Sequence, residues 1–315
     1  MYFKKEYFLI PKFPFFVGIA TIGKCNLKCR HCAYECGPEV EETLPRGVVF
    51  NLLRYLAEKG VKEVHFSGGE PLLDPNIYDY IMYAYDLNLN TLLITNGLLL
   101  TREVLDKLLK TGLGAIAVSV DGAQYNHEFL RGPGTFTKVL RTLSILKDYD
   151  FKKKIIYMVI HRQNINDIDY IISLVEEYNF TKLQLIPLIP QGRGKDLTNL
   201  VFSSSEFRQL LLNLKHKAER QKLGISLSTP LICLLGIAEG PCPAGVVTLT
   251  IHFNGDIYPY SVLLLPLGNI IRDGIEVLEY IWRKSTILNE LRDVTFLWNA
   301  KIVGIYTFVE VDAEH

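Results

Sequence analysis

The chain lacks a net charge: 34 Lys and Arg balance 34 Asp and Glu over 315 residues. Bulk electrostatic attraction to a polyanion is thereby excluded as its main theme, and no nucleic-acid partner is expected. A long apolar run is missing as well. The longest, such as 261–267, fall far short of the ~20 residues a membrane helix needs, so no membrane partner is expected. The N-terminal stretch MYFKKEYFLIPKFPFF is broken by Lys12 and two prolines and has no small-residue cleavage site. It does not read as a signal peptide, and the cytoplasm is the expected location. There is no internal repeat and no low-complexity tract, which excludes solenoids and linker arrays. Hydrophobic residues at 49% against 22% charged exclude disorder and supply a full core, enough for one α/β barrel or two domains of ~150 residues.

What is there begins with cysteine. In a reducing compartment the six cysteines are not expected to form disulfides. Four of them, Cys25, Cys29, Cys32 and Cys36, fall within twelve residues, and Cys233 and Cys242 follow about two hundred residues later. Clustered thiols of this kind usually hold a metal or a cluster.

Up to about residue 190, short apolar runs alternate with amphipathic stretches of helical length, the pattern of repeated β-α units around a parallel sheet. Strands are expected at 15–21, 61–67, 90–95, 114–120, 154–160 and 182–187. Helices fill the gaps, among them 46–59, stopped by Gly60, and 102–111, stopped by Gly112. Six units fall short of the eight of a closed barrel, so the expected fold is α/β, a partial (β/α)6 barrel. A Gly-rich link, Gln191-Gly192-Arg193-Gly194, interrupts the regularity before one long helix over 203–222. Beyond it the strands 246–253 and 256–260 flank Asn254-Gly255, a dipeptide suited to a type I′ hairpin turn.

The segment CNLKCRHC places Cys25, Cys29 and Cys32 at spacing C-x3-C-x2-C directly after the first strand. A structural zinc site needs four tetrahedral ligands, which His31 or Cys36 would complete. A 4Fe-4S cube held by three thiolates instead keeps one iron open. Spacing alone leaves both readings standing. Ser67-Gly68-Gly69-Glu70-Pro71 ends the second strand, Thr95-Asn96-Gly97 the third and Ser119-Val120-Asp121-Gly122 the fourth, so polar residues collect at the edge where barrel active sites form.

These motifs, in this order and at these strand ends, resemble the radical S-adenosylmethionine (SAM) enzymes over residues 15–190. The resemblance implies that Cys25, Cys29 and Cys32 ligate a 4Fe-4S cluster whose open iron takes the amino and carboxylate groups of SAM. It implies further that a 5′-deoxyadenosyl radical abstracts a substrate hydrogen, with an electron donor such as flavodoxin or ferredoxin as partner. By the same match Gly68, Gly69 and Glu70 line the methionine amino group, and Asn96, Ser119 and Asp121 lie near the ribose and methionine. Arg131, in the segment HEFLRG, would either meet the SAM carboxylate with its planar fork or form a surface ion pair. Cys36 is expected to be a free buried thiol. His161 is expected at the cavity edge.

The second region is similar to the SPASM/Twitch extension of radical SAM enzymes that modify peptides or haem precursors, through CPAG at 242–245, HFNGDIYP at 252–259 and PLGNI at 266–270. Such extensions carry auxiliary clusters on further cysteines. Here Tyr260 stands where the family has cysteine, and the cysteine-rich segment beyond Asp293 is replaced by an apolar tail. In the frame that starts at the third base of each codon, the junctions Asn299-Ala300, Ile302-Val303, Phe308-Val309 and Asp312-Ala313 all admit a cysteine codon, at intervals C-x2-C-x5-C-x3-C. The expected organisation is therefore a radical SAM core over 1–222, a SPASM/Twitch-like remnant over 223–293 and a frameshift-derived tail over 294–315. One cluster is expected and no auxiliary cluster, because too few thiols remain. Cys233 and Cys242 read first as plain core cysteines; the alternative is that one donates a hydrogen atom to a substrate radical, with Cys233 the candidate, and no other catalytic residue emerges. The substrate implied is a peptide or a tetrapyrrole. A protein that binds SAM and a cluster without turnover is the competing reading.

Overall fold

A computed structural model describes residues 10–221, 224–227 and 244–292. Their strands form one ten-stranded sheet, with β1 (Phe16–Ile22), β2 (Glu63–Gly68), β3 (Asn90–Thr95), β4 (Ala115–Ser119), β5 (Lys153–Ile160), β6 (Lys182–Pro187) and β7 (Gly224–Leu227) parallel and adjacent in chain order. Successive right-handed crossovers that always step the same way put the connecting helices on one face, which is how an open, barrel-like sheet arises. The six strands read from the sequence are present, displaced by no more than two residues at their ends. The seventh was not foreseen.

Side-chain alternation separates the two faces. Val64 and Phe66 of β2, Leu93 of β3, Ile116 and Val118 of β4, and Ile156 and Met158 of β5 join the large core under the helices. Leu92, Ala115, Ala117 and Ile155 form a smaller cluster on the opposite face, with Ile94 and Tyr157 packed against it. The helices that cover the sheet begin and end where their sequences say. In α3 (Arg102–Lys110) the Thr101 side chain accepts a hydrogen bond from the Val104 N–H, Glu103 lies in the first turn and Lys107 and Lys110 in the last, complementing the helix dipole. α1 (Arg46–Glu58) buries Val49, Leu52, Leu53 and Leu56 and stops before Gly60, whose φ is +82°. α7 occupies Ser204–Gln221, as expected.

The C-terminal region continues the same sheet on the other side. β8 (Thr248–Ile251) pairs in parallel with β1, and β9 (Asp256–Tyr258) and β10 (Gly268–Asn269) follow antiparallel. The expected hairpin is present but shorter, and its turn differs. Gly255 N–H donates to the His252 carbonyl at 2.8 Å, and only Gly255 (φ +87°), not Asn254, has positive φ. The turn is therefore centred on Phe253-Asn254 with a left-handed glycine after it, not a two-residue type I′ turn. A buried Trp282 ties this region to the N-terminal segment by donating from Nε1 to the Pro11 carbonyl. Among the described residues no helix is long and apolar enough to cross a membrane.

Candidate active site

The loop after β1 carries the four clustered cysteines and has neither helix nor strand between Gly23 and Pro45. Neighbouring backbone shapes it. Gly69 N–H donates to the Ile22 carbonyl at 2.6 Å and Glu70 N–H to the Lys24 carbonyl at 2.9 Å, tying the end of β2 to the start of the loop. A Cβ on Gly68 (φ +140°) would lie 2.4 Å from the Ile22 carbonyl oxygen, and one on Gly69 only 2.2 Å from that of Lys24. The glycine pair thus lets two stretches of backbone meet, whatever else binds there. Cys25 N–H in turn donates to the Gly37 carbonyl at 3.0 Å.

Cys25, Cys29 and Cys36 are buried and Cys32 is half-buried, all as free thiols. Burial pushes the Cys25 thiol up to about 12, although the Leu27 N–H, 3.4 Å from its sulfur, works the other way. Cys29 is likewise raised by burial and eased back by the Arg131 charge. Cys32 is drawn down, chiefly by a hydrogen bond from Cys36, with backbone donors of Cys36 and Tyr34 and the Arg193 charge adding to it against burial. That same contact, and burial after it, raise Cys36, which packs with Ala20, Cys25 and Phe253 as the expected buried thiol. The Cys25 and Cys32 sulfurs attract N–H donors, and the Arg131 and Arg193 charges act on Cys29. That setting fits a cluster whose thiolate ligands bring negative charge. Among the described residues no three His, Cys, Asp or Glu side chains converge on one metal position. His31, the candidate fourth zinc ligand, points Nε2 at Asp121 Oδ2, 3.6 Å away.

On one side of the loop stands Glu70, wholly buried. Its carboxylate accepts hydrogen bonds from Thr95 Oγ1 at 2.7 Å, Asn96 N at 2.9 Å and Leu72 N at 3.2 Å. Burial nevertheless raises it to about 7, because these donors only partly offset the lost water. Asn96 donates from Nδ2 to Asn26 Oδ1 at 2.7 Å and lies 3.9 Å from the Cys25 sulfur. The end of β3 therefore reaches the first cysteine directly. Asn26 escaped the sequence reading; its place inside C-x3-C was the available signal.

On the other side Ser119, buried, ends β4 two residues before Asp121. Asp121 is completely buried and accepts from Arg131 Nε at 2.6 Å and Val159 N at 2.8 Å. Burial alone would raise it, but Arg131, His31 and His127 together with the Val159 N–H hold it at about 2. Arg131 forms an ion pair, but not at the surface: its side chain is 9% exposed, and its charge is felt at Cys29 and Cys25. His127, at the start of the same segment, accepts the Asp121 N–H at Nδ1, and burial lowers it to about 3. His161 is fully buried, not at an open edge; its Nδ1 accepts from Gln163 N and its Nε2 has no partner among the described residues.

Two further elements close on the loop. The link after β6, read from sequence only as punctuation, places Arg193 against the backbone of Cys29, Cys32 and Cys36. The C-terminal hairpin brings His252 edge-on to Tyr34, with ring centroids 4.2 Å apart, while Tyr34 OH donates to the Ser261 carbonyl. Phe253 packs beside Cys25 and Cys36. Tyr260 is half-buried against the main core. Cys233, Cys242 and the tail beyond Arg292 lie outside the described residues.

A family model described as the radical SAM superfamily matches residues 19–175. Mycofactocin maturase MftC of Mycolicibacterium smegmatis is 31% identical over 280 residues, 85% of this chain and 70% of the relative. The AdoMet-dependent heme synthase of Methanosarcina barkeri is 27% identical over 295 residues, 85% of this chain and 82% of the relative. Among solved structures, Streptococcus suis SuiB bound to precursor peptide SuiA superposes with a TM-score of 0.74 at 19% identity, covering 90% of this chain and 68% of that one, which speaks for the shared fold. With the cysteine loop, the strand-end motifs and these matches taken together, the chain belongs to the radical SAM superfamily of enzymes.

Proposed function

We propose that Cys25, Cys29 and Cys32 hold one 4Fe-4S cluster, and that the chain is a cytoplasmic oxidoreductase that cleaves SAM reductively and abstracts hydrogen from a peptide or a haem-precursor tetrapyrrole. The observation that carries this reading is the single loop that presents three cysteine sulfurs beside two guanidinium groups. When bound, such a cluster supplies an electron from a flavodoxin or ferredoxin to SAM, giving methionine and a 5′-deoxyadenosyl radical. The substrate class is supported by the names of the relatives, a peptide maturase and a heme synthase.

In this reading the residues of the chain bind and orient. Gly68, Gly69 and Glu70 line the methionine amino group, with Glu70 also fixing the end of β3 through Thr95 and Asn96. Asn96, Ser119 and Asp121 lie toward the ribose and methionine. Arg131, anchored to Asp121 through Nε, keeps its terminal amino groups for the SAM carboxylate. Residues 1–222 form the core, 223–293 a SPASM/Twitch-like remnant and 294–315 a frameshift-derived tail, and the substitution of Tyr260 leaves no auxiliary cluster. That substitution also favours a second reading, a protein that binds cluster and SAM without turnover.

Anaerobic reconstitution followed by reductant and SAM distinguishes them. The first reading predicts 5′-deoxyadenosine from the wild type and none from Cys32→Ser. A wild type that binds four irons yet forms no 5′-deoxyadenosine supports the second reading. A wild type that binds no iron overturns both.

A further inference from the structure

Arg193 lies 164 residues from Cys29 and 157 from Cys36, yet it makes three hydrogen bonds to the cysteine loop. Its Nε donates to the Cys29 carbonyl at 2.8 Å, a terminal amino group donates to the Cys36 carbonyl at 2.7 Å, and its backbone N–H donates to the Cys32 carbonyl at 3.1 Å. The two side-chain bonds fall in the short range of charge-assisted hydrogen bonds. Cys29 and Cys32 carbonyls also close the loop's own turns, accepting from Cys32 N and Glu35 N at 3.3 Å each. One residue thus fastens both turns and the end of the segment.

The approach is built into the neighbouring glycine. Gly192 has φ +54°, and a Cβ there would lie 2.5 Å from the Ala33 carbonyl oxygen and 2.6 Å from that of Cys32. Only glycine lets this backbone come so close. The contact also joins strands that are not neighbours, since β1 pairs with β2 and β8 while β6 pairs with β5 and β7. Arg193 therefore bridges the mouth of the open sheet from its sixth strand to the loop after its first.

Resting on the cluster assignment above, we infer that Arg193 is a positioning residue: its planar fork holds Cys29 and Cys36, beside the backbone bond to Cys32, in the shape that retains the cluster, and its charge makes the cluster easier to reduce. A lysine at this place is a point charge that cannot reach the Cys29 and Cys36 carbonyls together. A nearby cation favours the more negative, reduced state of a cluster. Shape and charge can therefore be separated by substitution.

The test compares the wild-type full chain with Arg193→Lys and Arg193→Gln after anaerobic reconstitution. It follows loss of iron to a chelator, the midpoint potential by electron paramagnetic resonance, and thermal unfolding of the iron-free chain as a check of folding. Both variants should release iron about tenfold faster than the wild type. Arg193→Gln should also shift the potential to more negative values, while Arg193→Lys, which keeps the charge, should stay near the wild type. A folded variant that takes up no iron is the strong form of the same result. Iron release and potential unchanged in both variants would overturn the inference, whereas a wild type without iron would overturn the cluster assignment instead.

Discussion

Glu70 and Asp121 end two strands of the same sheet and are both wholly buried, yet their acidities move in opposite directions, to about 7 and about 2. Burial pushes both carboxyls up. Glu70 is answered by neutral donors, the Asn96 and Leu72 N–H groups and the Thr95 hydroxyl. Asp121 is answered by a guanidinium at 2.6 Å, with two histidines nearby. One formal charge in contact outweighs several dipoles where water is excluded. The cysteine loop consequently has a hydrogen-bonded flank beside Cys25 and a charged flank beside Cys29.

The charged flank should respond most strongly to substitution. Asp121→Asn leaves Arg131 buried without its partner and should destabilise the chain by about 3–5 kcal/mol in denaturant unfolding. Removing both charges, as Asp121→Asn with Arg131→Met, should be less harmful than the sum of the single changes. Additive losses would mean that the pair does not act as a unit.

On the neutral flank the largest effect should come from backbone crowding. Gly69→Ala sets a methyl 2.2 Å from a carbonyl oxygen that cannot rotate away, and an unfolding loss of about 1–3 kcal/mol is expected. A wild-type unfolding midpoint would show that the loop yields more easily than its hydrogen bonds suggest.

The smallest effects are those of pH, and they differ in sign. Glu70 is raised from 4.5 to about 7, so its contribution to stability is complete below pH ~4.5 and is lost as pH rises through about 7. Asp121 is lowered from 3.8 to about 2, so its contribution is present above pH ~4 and is lost as pH falls toward 2. Unfolding midpoints measured from pH 5 to 8 should therefore contain a decline around neutrality that Glu70→Gln removes. A decline of equal size in that variant would assign it to another group.

Much of this arrangement was legible in the sequence because it is local. Apolar runs with glycine stops located β1 to β6 and helices such as α1 and α3. The strand-end motifs did bring Glu70, Asn96, Ser119, Asp121 and Arg131 to one edge with the cysteines, since parallel strands in chain order present their C-terminal ends together. What escaped depends on distant parts of the chain. Periodicity cannot say that β8 lies beside β1, nor that Arg193 reaches the carbonyls of Cys29 and Cys36. The glycines at 68 and 69 were visible, but what they avoid, the carbonyl oxygens of Ile22 and Lys24, was not. Asn254-Gly255 was recognisable as a turn, and its type was decided by the hydrogen bond from Gly255 to His252.

We propose one SAM-binding cluster on Cys25, Cys29 and Cys32, with no auxiliary cluster beside it. Iron and sulfide per chain after anaerobic reconstitution, with electron paramagnetic resonance of the reduced protein with and without SAM, test it most directly. About four irons and four sulfides, with a signal that SAM perturbs, are predicted. About eight or more irons would contradict the single-cluster account, and zinc without sulfide would contradict the cluster itself.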